Sequence, residues 1–296
     1  MSGRAERSVL AGILALFVAL AATYSVVVPP FEASDELWHY PMVKYIADHW
    51  ALPVQDPADV GPWRQEGSQP PLYYALAAAA TSWIDTSDVD AVRYLNPHVD
   101  NGVATPDGNI NLVVHHPARD SFPWRGTALA VHLIRFLSVS MGTAAVYLTY
   151  LVVREILPGE PALALGATAI HAFTPLFVFI AGAVNNDNLV VPLSSLALLM
   201  LLRLARHRNP AKAVNDVGDG PTPDGRGRSW PESHHPTFAS VPMGRYLLLG
   251  IVLGLAVLTK TSALALTCLL YTSPSPRDHL AHRVCRLLLE KWGGGG

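Results

Sequence analysis

Two carboxylates, Asp35 and Glu36, and an imidazole, His39, fall within the stretch PPFEASDELWHYP (29–41), directly after the apolar run Val9–Val28. These are the side-chain types that carry protons near neutral pH. Their position just beyond a membrane-length segment sets them at a bilayer surface. Further along, Gln69 precedes Pro70-Pro71, Arg135 enters a second apolar run, Asn185-Asn186-Asp187 close a third, and Lys260 sits in a fifth. A cation at the centre of a span costs about 2.5–3.5 kcal/mol on insertion scales, so Arg135 and Lys260 are functional candidates by default. Snorkelling to the interface is the alternative for each. For the acids the alternative is helix capping, worth about 0.3–1 kcal/mol at the positive end of the dipole. Capping accounts for Asp35 and Glu36 by themselves, but not for a polar set gathered at one membrane face. An acid base with cations beside it suits a reaction between an anionic lipid donor and an acceptor at that face.

The elements that must position these residues are apolar blocks. The chain has 296 residues, 50% hydrophobic and 15% charged, against roughly 25% charged in soluble proteins. Its net charge of −2 gives no basis for binding nucleic acid. A hydrocarbon core of about 30 Å needs roughly 20 helical residues. Val9–Val28, Leu129–Val153, Ala162–Gly182, Leu189–Leu204 and Tyr246–Leu266 approach or meet that length. The expected fold is therefore all-α and polytopic, with about five transmembrane helices. A cleaved signal peptide is disfavoured for the first block, because the apolar run continues past Ala19-Leu20-Ala21 and further spans follow.

Arg4, Arg7, Arg154, Arg203, Arg206, Arg208 and Lys212 all fall on one side of alternating spans, which should be the cytoplasm. Residues 30–127 then form a long extracytoplasmic loop, with thirteen Asp/Glu against five Lys/Arg. Within it PLYYALAAAATSWI (71–84) is too short to span. It reads as an interfacial or re-entrant helix with Tyr73, Tyr74 and Trp83 at headgroup level. Asp35 to Trp50 reads as a second surface helix, with Ser34 as N-cap. Residues 85–125 read as irregular, and 205–244 as a flexible cytoplasmic loop whose ESHHP is solvated rather than metal-binding.

The segments PPFEASDELWHYPMVKYIADHWALPV, GSQPPLYYAL, VHLIRFLSVSMGTAAVYLTYLVVREILPG, FVFIAGAVNNDNLVVPLSSLALLMLL and GLAVLTKTSALAL occur in this order. Together they resemble the N-terminal half of the GT-C superfamily of polyprenyl-phosphate-dependent glycosyltransferases. They are most similar to the proteins related to protein O-mannosyltransferases (glycosyltransferase family 39) and to the DUF2142 group. The resemblance covers nearly all of 9–266. It implies sugar transfer from a polyprenyl-phosphate-linked donor to a glycan, lipid or protein acceptor at the extracytoplasmic face of a bacterial cytoplasmic membrane. It implies an acid at the start of the first loop as general base, a place that Asp35 matches with Glu36 beside it. His39, Gln69, Arg135, Asn186, Asp187 and Lys260 are the expected substrate-binding residues, with Arg135 and Lys260 facing the leaving phosphate. No cofactor or metal is implied. Related aminoarabinose transferases carry Lys where this chain has Gln69, so no phosphate contact is implied from that loop.

Two readings of other classes stay open. One is a transporter or flippase of lipid-linked saccharides, which would place polar residues on broken helices near the bilayer midplane. The other is a non-catalytic membrane protein of cell-envelope assembly. The last residues are expected not to be native. CLLYTSPSPRD (268–278) and VCRLLLEK (284–291) resemble translations of a common transposase-based sequencing adapter, and the closing GGGG a signal-loss G-run. On that reading 1–267 is the N-terminal part of a GT-C-like domain, and both cysteines, Cys268 and Cys285, lie outside it.

Overall fold

The computed structural model describes residues 2–33, 35–58, 60–99, 111–208 and 242–272, and the regular elements among these are helices, with Leu95 and Val113 forming an isolated bridge. Helix α1 (Gly3–Val27) leads into the long loop, which holds α2 (Glu36–His49), a 3-10 turn (Arg64–Ser68), α3 (Leu72–Thr81) and two single-turn helices, α4 (Val89–Val92) and α5 (Pro117–Asp120). Then follow α6 (Gly126–Ile156), α7 (Pro161–Ala172), α8 (Pro175–Ala181), α9 (Asp187–Arg208), α10 (Met243–Val257) and α11 (Leu264–Thr272). The expected ESHHP loop and nearly all of the expected adapter-derived tail lie outside the described residues.

Helices α1, α6 and α9 are long and apolar enough to cross a membrane, and α7 with α8 makes a fourth candidate if the bent pair is one span. At 1.5 Å per residue, the 25 residues of α1 extend about 37 Å. No more than a third of each spanning window is buried. Exposed apolar side chains on α1 and on the bent pair include Leu16, Leu20, Val26, Ile170 and Leu176, an outward apolar surface that lipid solvates and water would not. The molecule is a polytopic integral membrane protein.

Two expected spans depart from straight helices. The third bends by 64° between Ala172 and Pro175. Proline excludes its predecessor from helical backbone, and Thr174 is accordingly extended at φ −64°, ψ 117°. The fifth, expected over Tyr246–Leu266, stops at Val257 and resumes only as a 3-10 turn and α11. The polar run Thr259-Lys260-Thr261-Ser262 interrupts its apolar face, and Lys260 is extended. The freed carbonyls are met from elsewhere: Leu258 O accepts Leu72 N–H at 2.9 Å and Thr259 O accepts Asn186 Nδ2 at 3.4 Å.

Helix α6 is the central post, packing against α9, α7 and α1. Where α8 ends, Gly182 lies so close to α1 that a Cβ there would stand 2.9 Å from Ala21 O. At the arginine-rich end, Glu6 pairs with Arg154, and Glu155 with Arg203 and Arg206. At the other end, α2 and α3 pack together on α6 around Phe31, Tyr40, Met42, Tyr73, Tyr74 and Ile134. Tyr73 and Tyr74, expected at headgroup level, are thus buried in protein, because both hydroxyls find partners there; Trp83 is exposed.

Candidate active site

The loop is fixed to the bundle by one buried ion pair. Arg135 and Glu36 are both fully buried, with Nε to Oε1 at 2.8 Å and Nη2 to Oε2 at 2.5 Å. Arg135 Nη1 also donates to Ser25 O and Val28 O, and Nη2 to Pro29 O. All five guanidinium donors are therefore used. Two of them satisfy the carbonyls of Ser25 and the C-cap Val28 at the end of α1, and a third shares the Pro29 carbonyl with Glu32 N–H. Glu36 also accepts Phe31 N–H at 2.9 Å and Val184 N–H at 3.0 Å. A buried pair is tolerable only when every remaining lone pair and proton is met, and here they are. Arg135, expected to face a phosphate, has no donor left for one, and Glu36 has no free oxygen.

The clamp sets the start of α2. Asp35, not Ser34, occupies the N-cap position, and its side chain makes no cap hydrogen bond. Ser34 lies outside the described residues. Asp35 is exposed, one residue from a side chain with no exposure at all. Capping therefore does not account for Asp35.

One turn further on, His39 points inward at 3% exposure, its Nδ1 2.8 Å from Tyr74 Oη and 3.3 Å from Glu66 Oε2. Tyr74 Oη donates to Glu66 Oε2 at 3.1 Å. The phenol has one proton, so its oxygen accepts from His39 Nδ1–H, which leaves Nε2 as the acceptor nitrogen. Burial pushes His39 down to about 4, with Asp187 raising it and Lys260 lowering it. Burial pushes the Glu66 carboxyl up; the Tyr74 bond works the other way, the Asp35 charge adds to the rise and Lys260 opposes it. Asp35, Asp187 and Lys260 thus act electrostatically on this buried trio. Beside it, Tyr73 Oη bonds Ser138 Oγ at 2.9 Å and receives Asn185 N–H at 3.1 Å.

The third side comes from the break after α10. Lys260 Nζ donates to Asp187 Oδ1 at 2.5 Å, with the two side chains 30% and 42% exposed. Asp187 begins α9, and Asn185 Oδ1 accepts its N–H. Asn186 bonds the Thr259 carbonyl, which ties the Asn-Asn-Asp turn to the break.

The expected residues thus divide into two groups. Asp35, His39, Asp187 and Lys260 share one electrostatic neighbourhood, braced by Asn186. Glu36 and Arg135 form the clamp beneath. Gln69 caps the 3-10 turn through its backbone, and among the described residues its side chain makes no hydrogen bond. Sequence reasoning missed Glu66 and gave Tyr74 the wrong surroundings. Glu66 is one acid among many in the loop, and only the 3-10 turn that buries it sets it apart. The arrangement can take a proton at an exposed carboxylate while presenting an ammonium group to an anion.

Residues 127–214 match the family model described as dolichyl-phosphate-mannose-protein mannosyltransferase. The matched segment runs from α6 through α9, and includes Arg135 and Asn185 to Asp187 but not Asp35, Glu66 or Lys260. No curated protein and no solved structure matches the chain. With the apolar helices, the family match points to a membrane glycosyltransferase that draws on a lipid-linked sugar donor.

Proposed function

We propose that this chain transfers a sugar from a polyprenyl-phosphate-linked donor to an acceptor hydroxyl at the extracytoplasmic membrane face, in the manner of GT-C enzymes, with Asp35 as general base. The observation that carries the reading is Asp35 itself: exposed, free of any cap bond, and held in place by the buried Glu36–Arg135 pair next to it. In this reading the Asp35 carboxylate takes the proton of the acceptor hydroxyl as that oxygen attacks the anomeric carbon. The bond from that carbon to the phosphate oxygen breaks, and polyprenyl phosphate leaves. Help of this kind is worth about 10²–10⁴-fold. Lys260, aimed by Asp187 and Asn186, faces the departing phosphate and offsets its charge. Arg135 holds the loop.

A transporter reading draws support from the helix that breaks before Lys260. That break, however, is docked on the start of α3 through Leu72 N–H and Leu258 O, at the loop end of the bundle. This favours transfer. The test is to supply membranes carrying the full chain with polyprenyl phosphate bearing a labelled sugar. The reading expects label on an acceptor with release of free polyprenyl phosphate. Translocation of intact donor across sealed vesicles, without release, would replace it with the transporter reading.

A further inference from the structure

A second concavity lies away from the Asp35 group, where the last turn of α1 meets the segment 111–124. It is a cleft of about 540 Å³, walled on one side by Val26, Val27, Phe122 and Trp124. His115 and His132 line it as well. Among the described residues, only three buried side-chain polar atoms lack a hydrogen-bond partner: His115 Nδ1, His132 Nδ1 and Ser25 Oγ. Two belong to this cleft, and the third is on α1 next to Val26. Buried polar atoms are nearly always paired, so their gathering here calls for a partner that the described residues do not supply.

The chemistry of that partner follows from the surroundings. His115 Nε2 lies 2.8 Å from Glu32 Oε1 and donates to it, so Nδ1 of the neutral ring holds a lone pair. His132 is 2% exposed and stacked on Trp124 at 3.8 Å between centroids. Its Nδ1 has no partner among the described residues, and a hydroxyl, which both donates and accepts, meets that atom in either tautomer. The nearby charges are already met. Glu32 accepts Leu112 N–H, Val113 N–H and His115, and Asp120 accepts Arg119 and His116 N–H. Asp120 Oδ2 stands 3.5 Å from His115 Nδ1, and no hydrogen bond joins them. An anion would meet two carboxylates here, and an ammonium would bring a charge that nothing needs. A neutral hydroxyl donor fits.

The other half of the cleft sets the rest of the ligand. Val26 and Val27 are 48% and 70% exposed on the membrane-spanning helix, and Phe122 is 78% exposed, so the apolar wall is continuous with the lipid-facing side of α1. We infer that this cleft binds an uncharged, hydroxyl-bearing headgroup of an amphiphile, of the glycolipid class, with the hydroxyls on His115 and His132 and the acyl chain along Val26, Val27 and Phe122. The inference does not depend on the transfer reading.

The test uses the full chain in phosphatidylcholine nanodiscs, read by native mass spectrometry. Monoglucosyl diacylglycerol is added at low mole fraction, and methyl glucoside is added in a separate sample. Wild-type protein should retain one glucosyl lipid in preference to phosphatidylcholine by at least tenfold, and should not retain methyl glucoside. His115→Phe and His132→Phe should each lower retention at least tenfold. Equal retention of glucosyl lipid and phosphatidylcholine by wild-type protein would overturn the inference, and that comparison does not depend on how the variants fold. Retention of methyl glucoside as strong as that of the lipid would overturn it too.

Discussion

Arg135→Met tests the clamp on which the rest of the site depends. The substitution keeps side-chain length and removes five donors, two of them on Glu36 and three on the carbonyls of Ser25, Val28 and Pro29. Glu36 would be left as a buried carboxylate held only by the N–H groups of Phe31 and Val184. Breaking a buried pair by removing one partner costs about 3–5 kcal/mol, and a buried carbonyl left without a donor costs about 1–3 kcal/mol. Val28 and Pro29 lie past the end of α1 and can rehydrate, whereas Ser25 is fully buried. The expected loss is therefore about 4–8 kcal/mol. The double variant Glu36→Met with Arg135→Met removes the charge imbalance but not the unmet backbone groups, so it should recover part of the loss. Reversible unfolding in detergent micelles, followed by helical circular dichroism, gives these differences. Arg135→Met within 1 kcal/mol of wild type, or a double variant more stable than wild type, would refute the clamp.

Other expectations follow from the same structure. Because burial lowers His39 to about 4, the unfolded chain takes up this proton near pH 6.5 while the folded one resists. The His39 contribution, up to about 3 kcal/mol, is then present above pH 6.5 and lost as pH falls towards 4. Glu66, raised, acts in the opposite sense: its contribution is present at low pH and lost as pH rises through its folded value. Melting temperatures from pH 4 to 7 should show a shallower acid loss in His39→Gln than in wild type. Gly182→Ala must move the backbone of α1 at Ala21 and should cost about 1–3 kcal/mol in the same unfolding assay. With Cys268 and Cys285 replaced by Ser, a cysteine introduced at position 100 should react with an impermeant thiol reagent in intact cells and one at 220 should not. The reverse pattern would invert the topology.

The membrane class was legible because apolar run length measured against bilayer thickness is a coarse and strong signal. Helix α9 came out at Asp187–Arg208, against an expected core of Leu189–Leu204. The two breaks were less visible. Pro175 marks one, but a proline inside an apolar run of spanning length also reads as a tolerated kink. The break at Lys260 depends on Leu72 and Asn186 satisfying its carbonyls, which are partners distant in sequence. At the site, residue types alone picked out Asp35, Glu36, Arg135, Asp187 and Lys260, but not how they pair. Glu36 and Asp35 are adjacent and chemically alike, yet one is fully buried and the other exposed, a difference set by where Arg135 projects from α6. Tyr74 was read by its amphipathic character, and the buried partners His39 and Glu66 decided otherwise.

The most direct measurement of the central claim is the single-turnover rate of sugar transfer from polyprenyl phosphate donor by the Asp35→Asn protein, with Asp35→Glu alongside. Asn keeps the size of the side chain and removes the basic oxygen, and Asp35 is exposed and makes no cap bond, so expression and unfolding free energy should stay within about 0.5 kcal/mol of wild type. The rate should fall by about 10²–10⁴-fold in Asp35→Asn and recover in part in Asp35→Glu. A wild-type rate in Asp35→Asn would contradict the account and end the assignment of Asp35 as the base.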